Sequence, residues 1–178
     1  MVRTWSRSLL CALAFLVAAA DAACPRVTLM NNFQTDKFMG SWYEIQAQSS
    51  IFQSIKSCLK SDYTRNGDTV VVSSKGKNSD GEVATKISRM TISSNPARMM
   101  TDFIAGMSPP YEVLDTDYTS YACVHSCLAF GPILNDFVFI YSRKRKLSQE
   151  KIDNCRNLFS KYNQVNLNAL KNTPHSGC

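Results

Sequence analysis

Cysteine is the residue type in this chain whose number and distribution indicate chemistry. Cys11 lies in an apolar N-terminal stretch, and six more are spread over the rest of the 178 residues: Cys24, Cys58, Cys123, Cys127, Cys155 and Cys178. A cysteine can act as a nucleophile, a metal ligand or half of a disulfide. No C-x₂-C pair is present to indicate a zinc site, and an even number of cysteines in an exported chain favours disulfides. Their number leaves the pairing open.

Sequence motifs of catalysis are absent. The chain has no His-Glu-x-x-His, no Gly-x-Ser-x-Gly, no phosphate-binding glycine loop and no Asn-x-Ser/Thr sequon. A thiol enzyme would need an unpaired cysteine that faces inward, and none remains if all six form disulfides. We therefore expect a protein that is not an enzyme and that holds no metal and no covalent cofactor.

The N-terminus has the layout of a secretory signal peptide. Arg3 and Arg7 precede an apolar stretch at residues 9–20, and two alanines end the segment 1–23. A membrane anchor would need about 20 apolar residues, and acylation of the first mature cysteine is disfavoured by the aspartate before it. We expect a secreted, extracellular protein with one domain at residues 24–178 and no stable membrane insertion.

The charge balance excludes few partners by itself. Lys+Arg minus Asp+Glu is 20 − 14 = +6 for the whole chain, and removal of the leader with two arginines and one aspartate leaves 18 − 13 = +5. Nucleic-acid binding requires the basic residues to cluster. The one dense run, residues 143–146, contains no aromatic residue, so we interpret it as a solvated turn and expect no nucleic-acid partner.

Eight short segments rich in β-branched or aromatic residues predict strands. They are Trp42–Ser49, Cys58–Arg65, Thr69–Ser74, Val83–Ile92, Met99–Ile104, Tyr111–Asp115, Tyr118–Leu128 and Phe137–Arg143. Asn and Gly at residues 66–68 and 78–81 predict hairpin turns, because both residues tolerate a positive φ. Sequential antiparallel strands can close on themselves, which removes exposed edges and leaves an interior wide enough for one small ligand.

A helix is predicted after the strands. Ser148 is a suitable N-cap, Leu147 and Ile152 can pack across it, and apolar residues recur at helical spacing as far as Tyr162. Residues 164–168 are predicted to form a short strand. The expected fold is all-β, an eight-stranded antiparallel up-and-down β-barrel with one C-terminal α-helix packed outside.

Three sequence blocks resemble those of the lipocalin family. They are Gly40-Ser41-Trp42-Tyr43, the segment Thr116-Asp117-Tyr118-Thr119-Ser120-Tyr121, and Arg143 at the end of the last strand. The resemblance covers residues 24–178 and implies a barrel, or calyx, that carries small hydrophobic molecules. It also implies structural roles for Gly40, Trp42, Thr116, Asp117, Tyr121 and Arg143. Gly40 allows a sharp turn, and Arg143 can lie over the indole of Trp42.

Within the lipocalins, residues 111–127 are most similar to the crustacyanin subunits, which bind the carotenoid astaxanthin. Apolipoprotein D and the insect bilin-binding proteins are more distant relatives. These relatives imply the disulfides Cys24–Cys127 and Cys58–Cys178, and the crustacyanin pattern adds Cys123–Cys155. Cys123 and Cys127 lie four apart on one strand and so share a face, which the implied disulfide from Cys127 to the N-terminal segment requires to be the outer one. Cys155 of the predicted helix can meet Cys123 there. His125, between them, then points away from the cavity.

The resemblance and the strand alternation predict eight ligand-binding residues. They are Phe52, Tyr63, Met99, Phe103, Tyr111, Val113, Phe137 and Phe139. Tyr63 matches a tyrosine that lines the pocket in the crustacyanin pattern. The alternative for each of the others is that it fills the floor of the barrel.

This chain departs from the crustacyanin pattern at three positions. Arg98 is the nearest match to a histidine beside one keto end of the carotenoid, and Phe52 and Phe103 stand where the pattern has tyrosines. The changes remove hydroxyl donors, so a less polar carotenoid, a retinoid or a fatty acid would suit the pocket equally well.

We expect a carrier that binds a small hydrophobic ligand without covalent attachment, such as an astaxanthin-like carotenoid. The alternatives are an apolipoprotein D-like transporter of a lipid, retinoid or bilin, and a lipocalin that acts through a protein partner. The resemblance also implies a possible homo- or heterodimer with another lipocalin subunit. The apolar segment Ile104–Pro110 is then a candidate lid or interface.

Overall fold

A computed structural model describes residues 23–48, 53–102, 107–130, 133–162 and 165–178, with the backbone alone described at Phe130 and Ile133. Nearly all of the predicted leader lies outside these ranges. The division into a signal peptide and one mature domain therefore stays a prediction.

The described residues form nine strands, two α-helices and one turn of 3₁₀ helix. In chain order the elements are α1 (Thr35–Phe38), β1 (Gly40–Gln48), β2 (Ser57–Asn66), β3 (Thr69–Lys77), β4 (Val83–Ile92), β5 (Arg98–Thr101), β6 (Pro110–Thr116), β7 (Tyr121–Phe130), β8 (Ile133–Ser142), α2 (Gln149–Phe159), the 3₁₀ turn (Leu167–Ala169) and β9 (Leu170–Asn172). All eight predicted barrel strands are present; β4 has the predicted boundaries and the other seven differ from theirs at one or both ends.

The first eight strands close into an antiparallel barrel. Each strand from β2 to β8 pairs with the next along the chain, β8 pairs with β1, and the start of β1 pairs with β2 through Gly40–Tyr43. Closure leaves no exposed barrel edge. Beyond Tyr43, β1 leaves β2 and pairs with β9, which lies outside the barrel. The predicted fold class is confirmed.

Two of the differences from the predicted boundaries have a local cause. Strand β7 begins at Tyr121, because Tyr118 adopts a φ of +63° in the turn before it. The short strand predicted at residues 164–168 is not formed by the described residues 165–168; the strand β9 lies further along, at Leu170–Asn172. The side chain of Asn166 accepts a hydrogen bond from the Asn168 N–H and so caps a 3₁₀ turn before it.

Trp42 and Arg143 close one end of the barrel. The indole is fully buried, and its Nε1 donates to the carbonyl of Phe38. The guanidinium lies 3.7 Å from the centroid of the Trp42 ring and donates to the carbonyls of Ser41 and Tyr118. Gly40 has a φ of +92°, and a Cβ there would meet the Arg143 Nη1 at 3.4 Å. These contacts link the start of β1 to the end of β8.

The turn between β6 and β7 depends on Asp117. Its carboxylate accepts hydrogen bonds from the backbone N–H groups of Thr119, Ser120 and Tyr121, and Lys151 of α2 donates to it at 2.8 Å. Burial raises the pKa of this carboxyl, but the bonds from Lys151 and Ser120 outweigh that effect and lower it. Thr116 donates from Oγ1 to the carbonyl of Tyr121. The second block therefore positions the helix and the turn.

Helix α2 packs on the outside of the barrel. Ile152, Cys155 and Phe159 are buried against β6 to β8, and Leu147 packs on the same cluster. Ser148 is the N-cap residue, but its side chain makes no capping hydrogen bond. The predicted position of the helix is thus confirmed, although it spans 11 residues, about three turns, rather than four.

Candidate ligand-binding site

A cavity of about 230 Å³ opens at the end of the barrel away from Trp42. Strands β2, β3, β4 and β7 each contribute both apolar and polar side chains to its wall, and β8 contributes three aromatic rings. The lining consists of Glu44, Gln53, Ser54, Ile55, Leu59, Ser61, Tyr63, Val72, Ser74, Lys86, Ser88, Met90, Thr101, Asp102, Pro109, Tyr111, Ser126, Leu128, Phe137, Phe139 and Tyr141.

The structure brings four of the eight predicted ligand residues to the cavity wall. They are Tyr63, Tyr111, Phe137 and Phe139. Met99 and Val113 are fully buried in the packed core beneath the cavity, which corresponds to the alternative that some predicted residues fill the floor. Phe52 and Phe103 lie outside the described residues. A ligand role for any of the eight stays a prediction.

Three tyrosines surround the deep end of the cavity. The Tyr63 and Tyr111 hydroxyls are 3.0 Å apart and hydrogen-bonded. Burial raises the pKa of Tyr63 to about 12, and burial also raises the pKa of Tyr111 and of Tyr141, so all three are neutral hydroxyl groups. Tyr141 was not predicted from the sequence. The alternation that singled out Phe137 and Phe139 on the same strand continues to it.

Glu44 is a charged residue of the cavity that was not predicted from the sequence, as are Lys86 and Asp102. Its Oε1 accepts from the Thr173 hydroxyl at 2.7 Å and from the Gln53 amide at 2.9 Å, and its Oε2 accepts from the same amide at 3.1 Å. Burial raises the pKa of the Glu44 carboxyl, although both hydrogen bonds lower it. The signal was present, because residues 42 and 44 share one face of a strand and Trp42 was expected inside.

Gly76 allows the segment after β1 to fold into the barrel mouth. A Cβ at this position would lie 2.4 Å from Ile55 Cγ2 and 2.5 Å from the Ser57 carbonyl oxygen. The close approach brings Ile55 onto the cavity wall and Gln53 to Glu44. Any larger residue at position 76 would force this segment outward.

The C-terminal tail covers the gap where β1 separates from β2. The Cys58 N–H donates to the carbonyl of Pro174, Thr173 bonds to the Glu44 carboxyl, and a disulfide joins Cys58 to Cys178. The structure also contains Cys24–Cys127 and Cys123–Cys155, so its pairs are those that the resemblance implied. No cysteine among the described residues is left as a thiol nucleophile.

Arg98 and His125 both lie on the outer side of the wall. Arg98 pairs with Glu112, with Nη2 and Oε1 2.6 Å apart, and it does not line the cavity. His125 is 1% exposed and lies between Glu112 and Asp136. Its predicted direction is confirmed. Arg98, the nearest match to a family histidine at the pigment, instead contributes to a buried cluster outside the barrel.

A closed barrel with an aromatic floor and a cavity open at one end defines a protein that binds small molecules inside a β-barrel. Residues 39–176 match the model of the lipocalin / cytosolic fatty-acid binding protein family. The chain belongs to this family, whose members carry hydrophobic ligands.

Known relatives match most of the chain. The crustacyanin-A1 subunit of Homarus gammarus is 26% identical over 147 residues, which cover 80% of each chain. Apolipoprotein D of Bos taurus is 31% identical over 182 residues, which cover 96% of this chain and 95% of the relative. Lobster apocrustacyanin A1 superposes with a TM-score of 0.71 at 25% identity, covering 80% of this chain and 79% of that one.

Two kinds of feature are absent from the described residues. No helix there is long and apolar enough to span a membrane. No group of three or more His, Cys, Asp or Glu side chains there is arranged to hold a metal ion.

Proposed function

We propose that this protein is a secreted carrier that holds a carotenoid such as astaxanthin, without covalent attachment, in the cavity of its barrel. The observation that carries the proposal is the cavity itself, which ends at the tyrosines of its floor and has apolar side chains, among them Phe137 and Phe139, in its wall. Burial of apolar ligand surface, at about 25 cal/mol per Å², supplies the affinity with no chemical step. Similarity to the crustacyanin-A1 subunit supports a pigment as the ligand.

The size of the cavity supports a shared ligand. Its volume of about 230 Å³ lies below the ~300–1,000 Å³ typical of small-molecule pockets. A rod-shaped carotenoid would therefore insert one end and project from the mouth. A second lipocalin subunit, identical or different, would cover the rest. The exposed apolar side chains of Val83 and Ile87 on β4, 69% and 54% accessible, support such an interface.

Secretion is supported by two features. The disulfides tie together the N-terminal segment, the barrel, α2 and the tail, and such bonds persist in oxidising compartments. The sequence of residues 1–23 supplies the signal that export requires.

An apolipoprotein D-like transporter of a lipid, retinoid or bilin is the second candidate. Apolipoprotein D of Bos taurus is matched over 96% of this chain, and a cavity of about 230 Å³ suits a short ligand enclosed by one subunit. This candidate predicts a monomer with ligand bound, whereas the carotenoid proposal predicts a dimer.

The test is the ultraviolet and visible absorption spectrum of the disulfide-bonded protein after incubation with astaxanthin, β-carotene, biliverdin or retinol, followed by gel filtration. Co-elution of astaxanthin with a dimer supports the carotenoid proposal, and a red shift of its absorption would make the protein a pigment protein. Co-elution of retinol or biliverdin with a monomer, and none of astaxanthin, would replace it with the second candidate. No co-elution of any compound would contradict both and leave a protein partner.

A further inference from the structure

Glu44 is a buried carboxyl on the cavity wall that has no cationic partner. Its side chain belongs to a residue that is 3% exposed, and no Lys, Arg or His nitrogen of the described residues lies within 4.0 Å of its oxygens. His175, the nearby ionisable residue of the tail, bonds to the main-chain oxygen of Glu44 and not to the carboxyl. Glu44 is thus a carboxyl without an ion-pair partner among the described residues, in a cavity that Lys86 and Asp102 also line.

The hydrogen bonds to this carboxyl leave part of its acceptor capacity open. A carboxylate offers about four acceptor positions. Among the described residues, Oε1 receives two donors, Thr173 and Gln53, whereas Oε2 receives only the longer bond of 3.1 Å from the same Gln53 amide. A donor that enters the cavity can therefore bond to Oε2 without displacing Thr173.

The position of Glu44 costs folding free energy that its contacts only partly recover. Burial disfavours the charged form of a carboxyl, and burial raises the pKa of Glu44. A glutamine would accept a hydrogen bond from Thr173 at a lower desolvation cost. A polar group that lowers stability and lies on the wall of a ligand-sized cavity is expected to recognise a ligand.

The distribution of polarity in the cavity fits such a ligand. Val72, Met90 and Leu128 give the cavity apolar surface on strands that also contribute polar side chains, and Glu44 and Gln53 add a carboxyl and an amide from β1 and the residues before β2. A ligand with one polar group at the end of an apolar body would contact both kinds of surface.

We propose that Glu44 anchors the inserted end of the ligand and that the site selects apolar molecules bearing a hydrogen-bond donor there, a hydroxyl or an ammonium, over those bearing a carboxylate. The inference rests on the proposed carrier function and specifies the ligand chemistry of that site. Nothing in it depends on whether the natural ligand is a carotenoid.

Three probes with the same tail test this inference: 1-dodecanol, dodecylamine and dodecanoate. Isothermal titration calorimetry at neutral pH on the disulfide-bonded protein should show the alcohol and the amine binding at least about ten-fold more tightly than the carboxylate. A hydrogen bond to a charged group contributes about 1.5–3 kcal/mol, and 1.4 kcal/mol corresponds to a factor of ten.

Two variants should move this preference in opposite directions. Glu44→Gln should reduce the preference for amine over carboxylate by about ten-fold or more. Gln53→Glu, which places a second carboxyl beside the first on a half-buried segment, should increase it. Glu150→Gln removes the same charge from the exposed first turn of α2 and should leave the order unchanged. Gln53→Glu and the native protein keep the test decisive if Glu44→Gln fails to fold.

The outcomes separate this inference from the function on which it rests. Binding of all three probes with equal affinity, or an order that Glu44→Gln and Gln53→Glu leave unchanged, would overturn the role of Glu44 while the carrier function stands. Failure of every probe and every pigment to bind would overturn the carrier function and this inference together.

Discussion

Buried carboxyl groups lie on both faces of the same barrel wall, and the two faces differ in the hydrogen-bond partners that they give these groups. On the outer face, Glu112 and Asp136 flank His125, and Arg98 pairs with Glu112. On the inner face, Glu44 has only neutral donors. The outer carboxylates thus have as many cations as charges, whereas the inner one has none among the described residues.

The geometry of the outer cluster determines the charge of His125. Nδ1 lies 2.7 Å from a Glu112 oxygen and Nε2 lies 2.6 Å from an Asp136 oxygen. An ionised carboxylate only accepts hydrogen bonds, so both ring nitrogens must donate and the ring is an imidazolium. Burial lowers the pKa of His125, but the hydrogen bonds that its ring donates to Asp136 and Glu112 outweigh that effect and raise it.

The difference separates a structural use of buried charge from a binding use. The outer cluster joins β5, β6, β7 and β8 through paired charges. Among the described residues, Asp136 Oδ2 is its one buried oxygen without a hydrogen-bond partner. The inner carboxyl costs stability and gives the cavity a recognition group. The comparison predicts that removing charge destabilises the outer face and stabilises the inner one.

The largest expected effect is the loss of His125. In His125→Leu, two carboxylates remain buried without the cation between them, and breaking such an arrangement costs about 3–5 kcal/mol. The free energy of unfolding, measured by urea denaturation with disulfides intact, should fall by that amount.

A second substitution checks the cause. Asp136→Asn in the His125→Leu background removes one of the unpaired charges and should recover part of the lost stability, since residues in one network are not additive. If the double variant is less stable than His125→Leu, charge balance is not what His125 provides.

The pH dependence of that loss is the next effect in size. Because the folded-state pKa of His125 lies above its ordinary value of 6.5, its contribution is fully present below pH 6.5 and is lost as the pH rises through the folded-state pKa. The groups facing it are Glu112, Asp136 and the Tyr162 ring. The difference in unfolding free energy between the native protein and His125→Leu should therefore shrink at alkaline pH. A constant difference would contradict the imidazolium assignment.

Glu44→Gln should have the opposite sign. The pKa of Glu44 is raised above its ordinary value of 4.5, so its ionisation destabilises the folded state as the pH rises through the raised value. Removing the charge should stabilise the protein by about 0.5–2 kcal/mol near neutral pH, the size of a common stabilising substitution, and by nothing below pH 4.5. Urea denaturation at both pH values measures this gain. A loss of stability at neutral pH would show that the carboxyl is a structural group.

Local patterns were sufficient to predict the barrel. The alternation of apolar residues and the Asn-Gly turns predicted eight strands in order. The spacing of Cys123 and Cys127, together with the disulfide that the resemblance implied for Cys127, predicted that His125 faces outward. These features depend on neighbours along the chain. The strand predicted at residues 164–168 was wrong because a side-chain hydrogen bond, from the Asn168 N–H to Asn166, starts a 3₁₀ turn there, and apolar alternation does not report such a bond.

The cavity was predictable only in part, because its lining comes from strands distant in sequence. Tyr63 and Tyr111 meet across 48 positions of the chain, and Thr173 reaches Glu44 across 129. Whether an inward residue lines a cavity, as Phe137 does, or packs in the floor, as Met99 does, depends on its depth along the barrel. Alternation gives the face of a strand but not that depth.

The smallest expected effect is at Arg98, the exposed end of the outer cluster. Its side chain is 43% exposed, so its pair with Glu112 is screened by solvent, and such pairs contribute about 0.2–1 kcal/mol. Arg98→Ala should lower the free energy of unfolding by that amount in low salt and by less in high salt, while His125→Leu should change little with salt because its partners are buried. Ligand affinity should not change, because Arg98 does not line the cavity. A loss as large as that of His125→Leu would place the main charge balance of the outer face at Arg98 and not at the imidazolium.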